Sequence, residues 1–184
     1  MRWLLLFFPV VVFADNLITI DQVGSANTIT ISQDGSHSAT LAIGPDSAVT
    51  TSTFSIDQSG TGSHSASIEV PAGYNNSFSV TQSGSGNQTT GIVNFAGSAN
   101  SVSVTQSGAG NHTFNLTGSG TNNANTVTAT QSGGLGADKS FNLNMTNTNG
   151  AAVTVQQTNP LLPNSGSMSI QCSSLCGTYN YIRN

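Results

Sequence analysis

Apolar or amide residues alternate with small hydroxyl residues along most of this chain. Between Asn100 and Gln106, the residues Asn100, Val102, Val104 and Gln106 fall on one side of an extended segment, and Ser101, Ser103 and Thr105 on the other. The run Ser107-Gly108-Ala109-Gly110 follows, with two positions lacking Cβ, so the backbone can reverse before Asn111 opens another extended segment. The pattern predicts a strand-turn-strand unit.

The unit repeats. Asn76 to Asn87 reads NSFSVTQSGSGN against NSVSVTQSGAGN for Asn100 to Asn111, and Gln58, Gln82, Gln106, Gln131 and Gln156 recur every 24 or 25 residues. A period in that range predicts a solenoid. Inward rows of first strands read Ser52, Phe54, Ile56, Gln58; Asn76, Phe78, Val80, Gln82; Asn100 to Gln106; Asn125, Val127, Ala129, Gln131; and Ala151, Val153, Val155, Gln157. Second strands are less regular: His64, Ala66, Ile68, Val70; a run from Asn87 to Phe95; His112, Phe114, Leu116; and Phe141, Leu143, Met145. The chain opens with Asn16, Ile18, Ile20, Gln22 as a first strand and Asn27, Ile29, Ile31, Gln33 as its second, followed by a third row of His37, Ala39, Leu41 and Ile43. On this reading the second-strand glutamine disappears after Gln33.

The expected fold is therefore all-β, a stacked strand-turn-strand solenoid of the cross-β kind. One such unit cannot bury its inward row alone, whereas parallel stacking at ~4.8 Å per layer pairs the backbone and sets like residue on like. Buried amides are costly unless their donors and acceptors are matched. In-register stacking meets that demand, because each amide donates to one neighbour and accepts from the other. The ladder set expected to carry assembly is Asn16, Gln22, Asn27, Gln33, Gln58, Asn76, Gln82, Asn100, Gln106, Asn125, Gln131 and Gln157.

The ends differ from the repeats. Met1 to Ala14 has one cation and then an unbroken apolar run from Trp3 to Phe13, too short for a lasting membrane span. It reads as a secretory signal peptide, with Val12 and Ala14 as the small residues before the cleavage point. Residues 15–158 then form the repeat solenoid and 159–184 an atypical C-terminal repeat or cap. In that last segment Met168 and Ile170 alternate as before, Cys172 stands where a glutamine is expected, and the tail with Tyr179 and Tyr181 is either a final strand or a cap.

Composition narrows the function. Only 5% of residues are charged and the formal net charge is -4, with Arg2, Lys139 and Arg183 as the strong cations. No basic cluster exists for nucleic acid or an anionic membrane surface. The seven acids are scattered, with no titratable cluster of the kind catalysis requires. Neither an enzyme nor a cofactor is expected. Asp21, Asp34 and Asp57 each adjoin a repeat glutamine, as ordinary turn aspartates or as gatekeepers against premature pairing. His37, His64 and His112 each open a second strand; metal binding is not expected there, because the unit holding Asn87 separates His64 from His112. Cys172 and Cys176, in a secreted chain, are expected to form a disulfide closing the tail.

The pattern Asn or Ser, five residues, Gln, any, Gly, any, Gly, Asn resembles the repeat of curli subunits, the secreted bacterial amyloids of biofilm matrix. Asn76 to Asn87 and Asn100 to Asn111 match it fully, and Asn27, Ile29 and Gln33 match its second half. The resemblance implies an extracellular, self-polymerising subunit, with a nucleator and an outer-membrane secretion channel as partners. Two features depart from the family: the repeats start at Asn16 with no leader after the signal peptide, and the second glutamine ladder is expected to be mostly missing. A rival expectation is a monomeric solenoid such as an ice-binding protein. It rests on the outward rows Ser77, Ser79, Thr81; Ser101, Ser103, Thr105; and Thr126, Thr128, Thr130. A fibrous adhesin is a third.

Overall fold

The computed structural model describes residues 17–22, 26–35, 37–43, 49–70, 72–172 and 174–184. The signal-peptide segment and Asn16 lie outside them. Among the described residues every regular element is a strand, and two seven-stranded sheets hold nearly all of them. The first sheet runs β1 (Leu17–Gln22), β3 (His37–Ile43), β6 (His64–Glu69), β9 (Gln88–Val93), β11 (His112–Ser119), β13 (Lys139–Thr146) and β15 (Asn164–Gln171). The second runs β2 (Thr28–Asp34), β5 (Thr53–Gly60), β8 (Ser77–Gly84), β10 (Ser101–Gly108), β12 (Thr126–Gly133), β14 (Ala152–Gln157) and β16 (Thr178–Arg183). A short pair, β4 (Val49–Thr50) with β7 (Gly73–Tyr74), lies apart.

All pairings are parallel and in register, so the chain passes from one sheet to the other and climbs one layer per turn. This is the solenoid that the alternation predicts. The inward rows enclose one apolar column: Phe54, Phe78, Val80, Val102, Val127 and Val153 from one sheet, and Ile68, Ile92, Leu116 and Leu143 from the other. Like lies on like, as with Phe54 and Phe78, whose rings stack at 5.4 Å and 5°.

Small residues make the corners possible. Gly60, Gly84 and Gly108 have φ of 110°, 111° and 109°, a region that side chains rarely adopt. A Cβ on Gly84 would also lie 2.3 Å from the carbonyl oxygen of Gly108 in the next layer. The Gly-x-Gly turns are thus required by both torsion and stacking.

The opening of the chain corrects two expectations. β1 pairs with β3, the sheet of the second strands, while β2 pairs with β5 and sets Gln33 opposite Gln58. The strand Asn27–Gln33 is therefore a first strand. Its match to the next layer decides the phase, because Ile29 falls on Phe54 and Ile31 on Ile56. With that shift the second-strand glutamine is Gln22, which already lies opposite Ile43, so the second ladder fails one strand earlier than expected. Near the other end, Gln131 pairs with Gln157 rather than with the strictly periodic Gln156. The tail is a strand of the stack: β16 pairs with β14 and sets Arg183 opposite Gln157. Cys172 follows β15 in the opposite sheet, so the residue standing in the glutamine position is Arg183, not Cys172.

Candidate assembly site: the amide ladders and the stack ends

Each first strand carries a glutamine at its inward end, and parallel register brings these side chains into one column. Gln33 Nε2 donates to Gln58 Oε1 at 2.7 Å, Gln58 to Gln82 at 2.7 Å, and Gln82 to Gln106 at 2.8 Å. Gln106 continues to Gln131 at 2.8 Å and Gln131 to Gln157 at 2.7 Å. The column is polar, every amide donating toward the C-terminal end. The second N–H of each crosses the core to a backbone carbonyl of the facing sheet: Gln58 to Ser38, Gln82 to Ser65, Gln106 to Thr89, Gln131 to Thr113 and Gln157 to Ser140. Gln58, Gln82, Gln106, Gln131 and Gln157 are fully buried, and these bonds offset the cost of burying them.

A second column stands at the inward start of the same strands. Its oxygens cap the backbone N–H of the next layer: Asn27 Oδ1 accepts from Ser52 N at 2.9 Å, Asn76 Oδ1 from Asn100 N at 3.0 Å, Asn100 Oδ1 from Asn125 N at 3.1 Å. The side-chain amides run opposite to the glutamines, Asn125 Nδ2 donating to Asn100 Oδ1 and Asn100 Nδ2 to Asn76 Oδ1, both at 3.1 Å. Ser52 takes the asparagine place in its layer and Ala151 ends the column. Left-handed residues set each of these corners: Ala26, Thr51, Asn75, Ala99 and Ala124 have φ between 50° and 58°.

Gln22 does not join the glutamine column. Its strand pairs in the other sheet, where it lies opposite Ile43.

Two further columns were not anticipated from the pattern. Asn87, Asn111 and Asp138 cap the layer before each of them: Asn87 Oδ1 accepts from Ser63 N, Asn111 Oδ1 from Asn87 N, and Asp138 Oδ1 from Asn111 N at 2.8 Å. The closing Asn of the repeat motif was the signal for it. The other column is basic and buried: His37, His64, Gln88, His112, Lys139 and Asn164 are consecutive partners in the first sheet. Gln88, not Asn87, therefore stands between His64 and His112. His37 and His64 rings stack with centroids 4.5 Å apart. His64 and His112 each direct Nε2 at a backbone carbonyl, Ser59 and Ser107, which places the proton on Nε2 and leaves Nδ1 a buried acceptor with no donor. Burial pushes the pKa of both imidazoles down, and the charges of His37 near His64 and Lys139 near His112 act in the same direction. The buried Lys139 ammonium donates to the carbonyls of Asn159 and Leu162, and burial lowers its pKa as well. Among the described residues no group of three or more His, Cys, Asp or Glu side chains gathers as a metal site would.

Cys172 and Cys176 are joined as a disulfide with Cα atoms 5.9 Å apart. It lies in the link between β15 and β16, where Cys176 N donates to Asn149 O at 2.8 Å. Tyr181, in β16, fills the space over Gly166 and donates to Ser165 O at 2.9 Å, the carbonyl that a glutamine amide would brace in an ordinary layer.

Residues 14–40 match the curlin associated repeat. This chain carries a curlin repeat. The matched segment contains Asn27, Ile29 and Gln33, the residues that begin the asparagine and glutamine columns and open the core of the second sheet. No curated protein matches the chain, and no solved structure matches it. The match covers one early stretch of the chain, and the layers after it continue the same glutamine column. Among the described residues no helix is long and apolar enough to cross a membrane.

Proposed function

We propose that this chain is a structural subunit of extracellular, curli-like amyloid fibres, secreted by way of the segment 1–14 and built into the matrix and adhesive layer of a biofilm. The amide columns are its assembly elements, and its principal partner is another copy of itself, with a nucleator and an outer-membrane channel as the partners that the curlin resemblance implies. One observation carries the reading. Among the described residues both sheets end in parallel edge strands, β1 and β2 at one end and β15 and β16 at the other, and an edge left uncovered is a template for the next chain. The test is to follow thioflavin T fluorescence of the purified secreted protein with and without sonicated fibre seeds. Fibres that grow faster when seeded support it; protein that stays monomeric for days, with β-rich circular dichroism, contradicts it.

A second reading rests on the outer face of the second sheet. Thr53, Ser77, Ser101 and Thr126 stack in register and are exposed, within a regular array of hydroxyls. Such a face fits a monomeric binding solenoid, an ice-binding protein for example. Thermal hysteresis by a persistently monomeric protein would favour it over the fibre.

A further inference from the structure

The chain enters the stack in one sheet and leaves it in the other. β1, the first described strand, belongs to the sheet of β15, whereas β16, the last, belongs to the sheet of β2. Each end is therefore a step in a climbing helix: β1 has β2 on one side of it in the facing sheet and no described strand on the other, and β16 likewise has β15 on one side only.

The side chains on these half-turns bear the consequence. Ile18 is in register with inward Ala39, and Ile20, two residues on, shares its face, yet they are 48% and 50% exposed. On β16, Tyr179 and Tyr181 follow Val153 and Val155 on the inward face and are only partly buried. The glutamine column shows the same incompleteness. Gln33 Oε1, at the N-terminal end, is a buried acceptor without a partner among the described residues, and the column's direction requires its donor to come from the preceding layer. The residue in that column at the far end is Arg183, which has donors only.

We infer that the two half-turns complete each other between copies: β16 of one molecule and β1 of the next form a single composite turn. Tyr179 and Tyr181 then cover Ile18 and Ile20, and the Arg183 guanidinium donates to Gln33 Oε1 of the next copy. This rests on the fibre reading above and adds to it a junction, a polarity and a register. Like ends do not fit, because two steps of the same hand leave one half-turn uncovered and set strands against the parallel order.

Backbone direction supplies clean variants. In the second sheet Thr126 N donates to Ala151 O and Ala152 N to Gly177 O, so outward residues bond toward the C-terminal end, and Arg183 O accepts backward from Thr158 N. By the alternation of a parallel ladder, the N–H of Asn180 points to the free edge. In the first sheet His112 N and Lys139 N donate to the layer before them, so the N–H of inward Ile20 also points to a free edge. Proline at either place removes an edge donor without removing a ladder bond inside the molecule.

The experiment compares the purified secreted protein with Ile20→Pro, Asn180→Pro and Arg183→Ala, with circular dichroism and thermal midpoint of the monomers as folding controls. The composite turn predicts that each proline variant alone stays monomeric in sedimentation equilibrium, while an equimolar mixture forms one-to-one dimers and no fibres. Arg183→Ala, which keeps the edge, is expected to elongate from seeds at least tenfold more slowly. Wild-type fibres together with proline variants that fold and still polymerise alone, or that dimerise through like ends, overturn the junction and leave the fibre reading standing. Wild-type protein that never polymerises overturns both.

Discussion

Gln82 sits between two copies of itself, accepting at Oε1 from Gln58 over 2.7 Å and donating from Nε2 to Gln106 over 2.8 Å. Its other amide hydrogen reaches Ser65 O at 2.9 Å, so one fully buried side chain ties three layers and both sheets. Gln82→Ala removes these bonds, strips Gln58 Nε2 of an acceptor and leaves a cavity. A loss of roughly 2–4 kcal/mol is expected, since an orphaned buried polar group costs about 1–3 kcal/mol before the cavity is counted. Urea denaturation of freshly desalted monomer checks it. Gln156→Ala, one residue from the column and on the outward face, is the control and should change stability by less than about 0.5 kcal/mol.

The corners give a pair of opposite outcomes. Gly84→Ala places a methyl 2.3 Å from Gly108 O at a φ of 111°, and is expected to destabilise strongly and to slow assembly. Ala99→Gly acts the other way. Ala99 holds φ 58°, where an L-residue is strained by roughly 1–2 kcal/mol, so glycine there should raise stability by up to about 1 kcal/mol after its greater unfolded-state entropy is deducted. Thermal midpoints of the two variants should move apart from the parent.

Acid should loosen the histidine column. His64 and His112 have folded pKa values below the ordinary 6.5, burial being the chief cause. The folded state therefore binds fewer protons than the unfolded one, and stability present above pH 6.5 is lost as pH falls through and below that value. The groups along the column oppose protonation further: His37 stacks on His64, and Lys139 lies next to His112, with Asp138 the acid that partly offsets it. Replacing both imidazoles, as in His64→Gln with His112→Gln, should flatten the fall in urea midpoint between pH 7 and 5. Gln88 already occupies the same column, which makes glutamine a fitting replacement.

The first strands were legible because their pattern is redundant. From Ser52 to Gln157 every inward residue predicted for them is buried, and strict alternation with a glutamine at the end admits one face assignment. The opening was misread for the same reason. Gln22 and Gln33 both end apolar-alternating strands, and only the register of Gln33 on Gln58 shows which belongs to the column. The burial of Lys139 was not legible because an ammonium bound to two backbone carbonyls has no local sequence mark; its partners lie on a loop 20 and 23 residues away. Arg183 was missed because the tail has neither the Gln nor the Gly-x-Gly that announce the other layers.

The central claim is that the folded solenoid itself is the polymerising unit, each chain spanning seven layers of each sheet. Mass per length of the fibres, by scanning transmission electron microscopy on material with a meridional spacing near ~4.8 Å, tests it most directly. Seven layers at ~4.8 Å give one chain per roughly 34 Å of each filament. One chain per ~4.8 Å, the value for flat chains stacked in register, would contradict the solenoid as the building block.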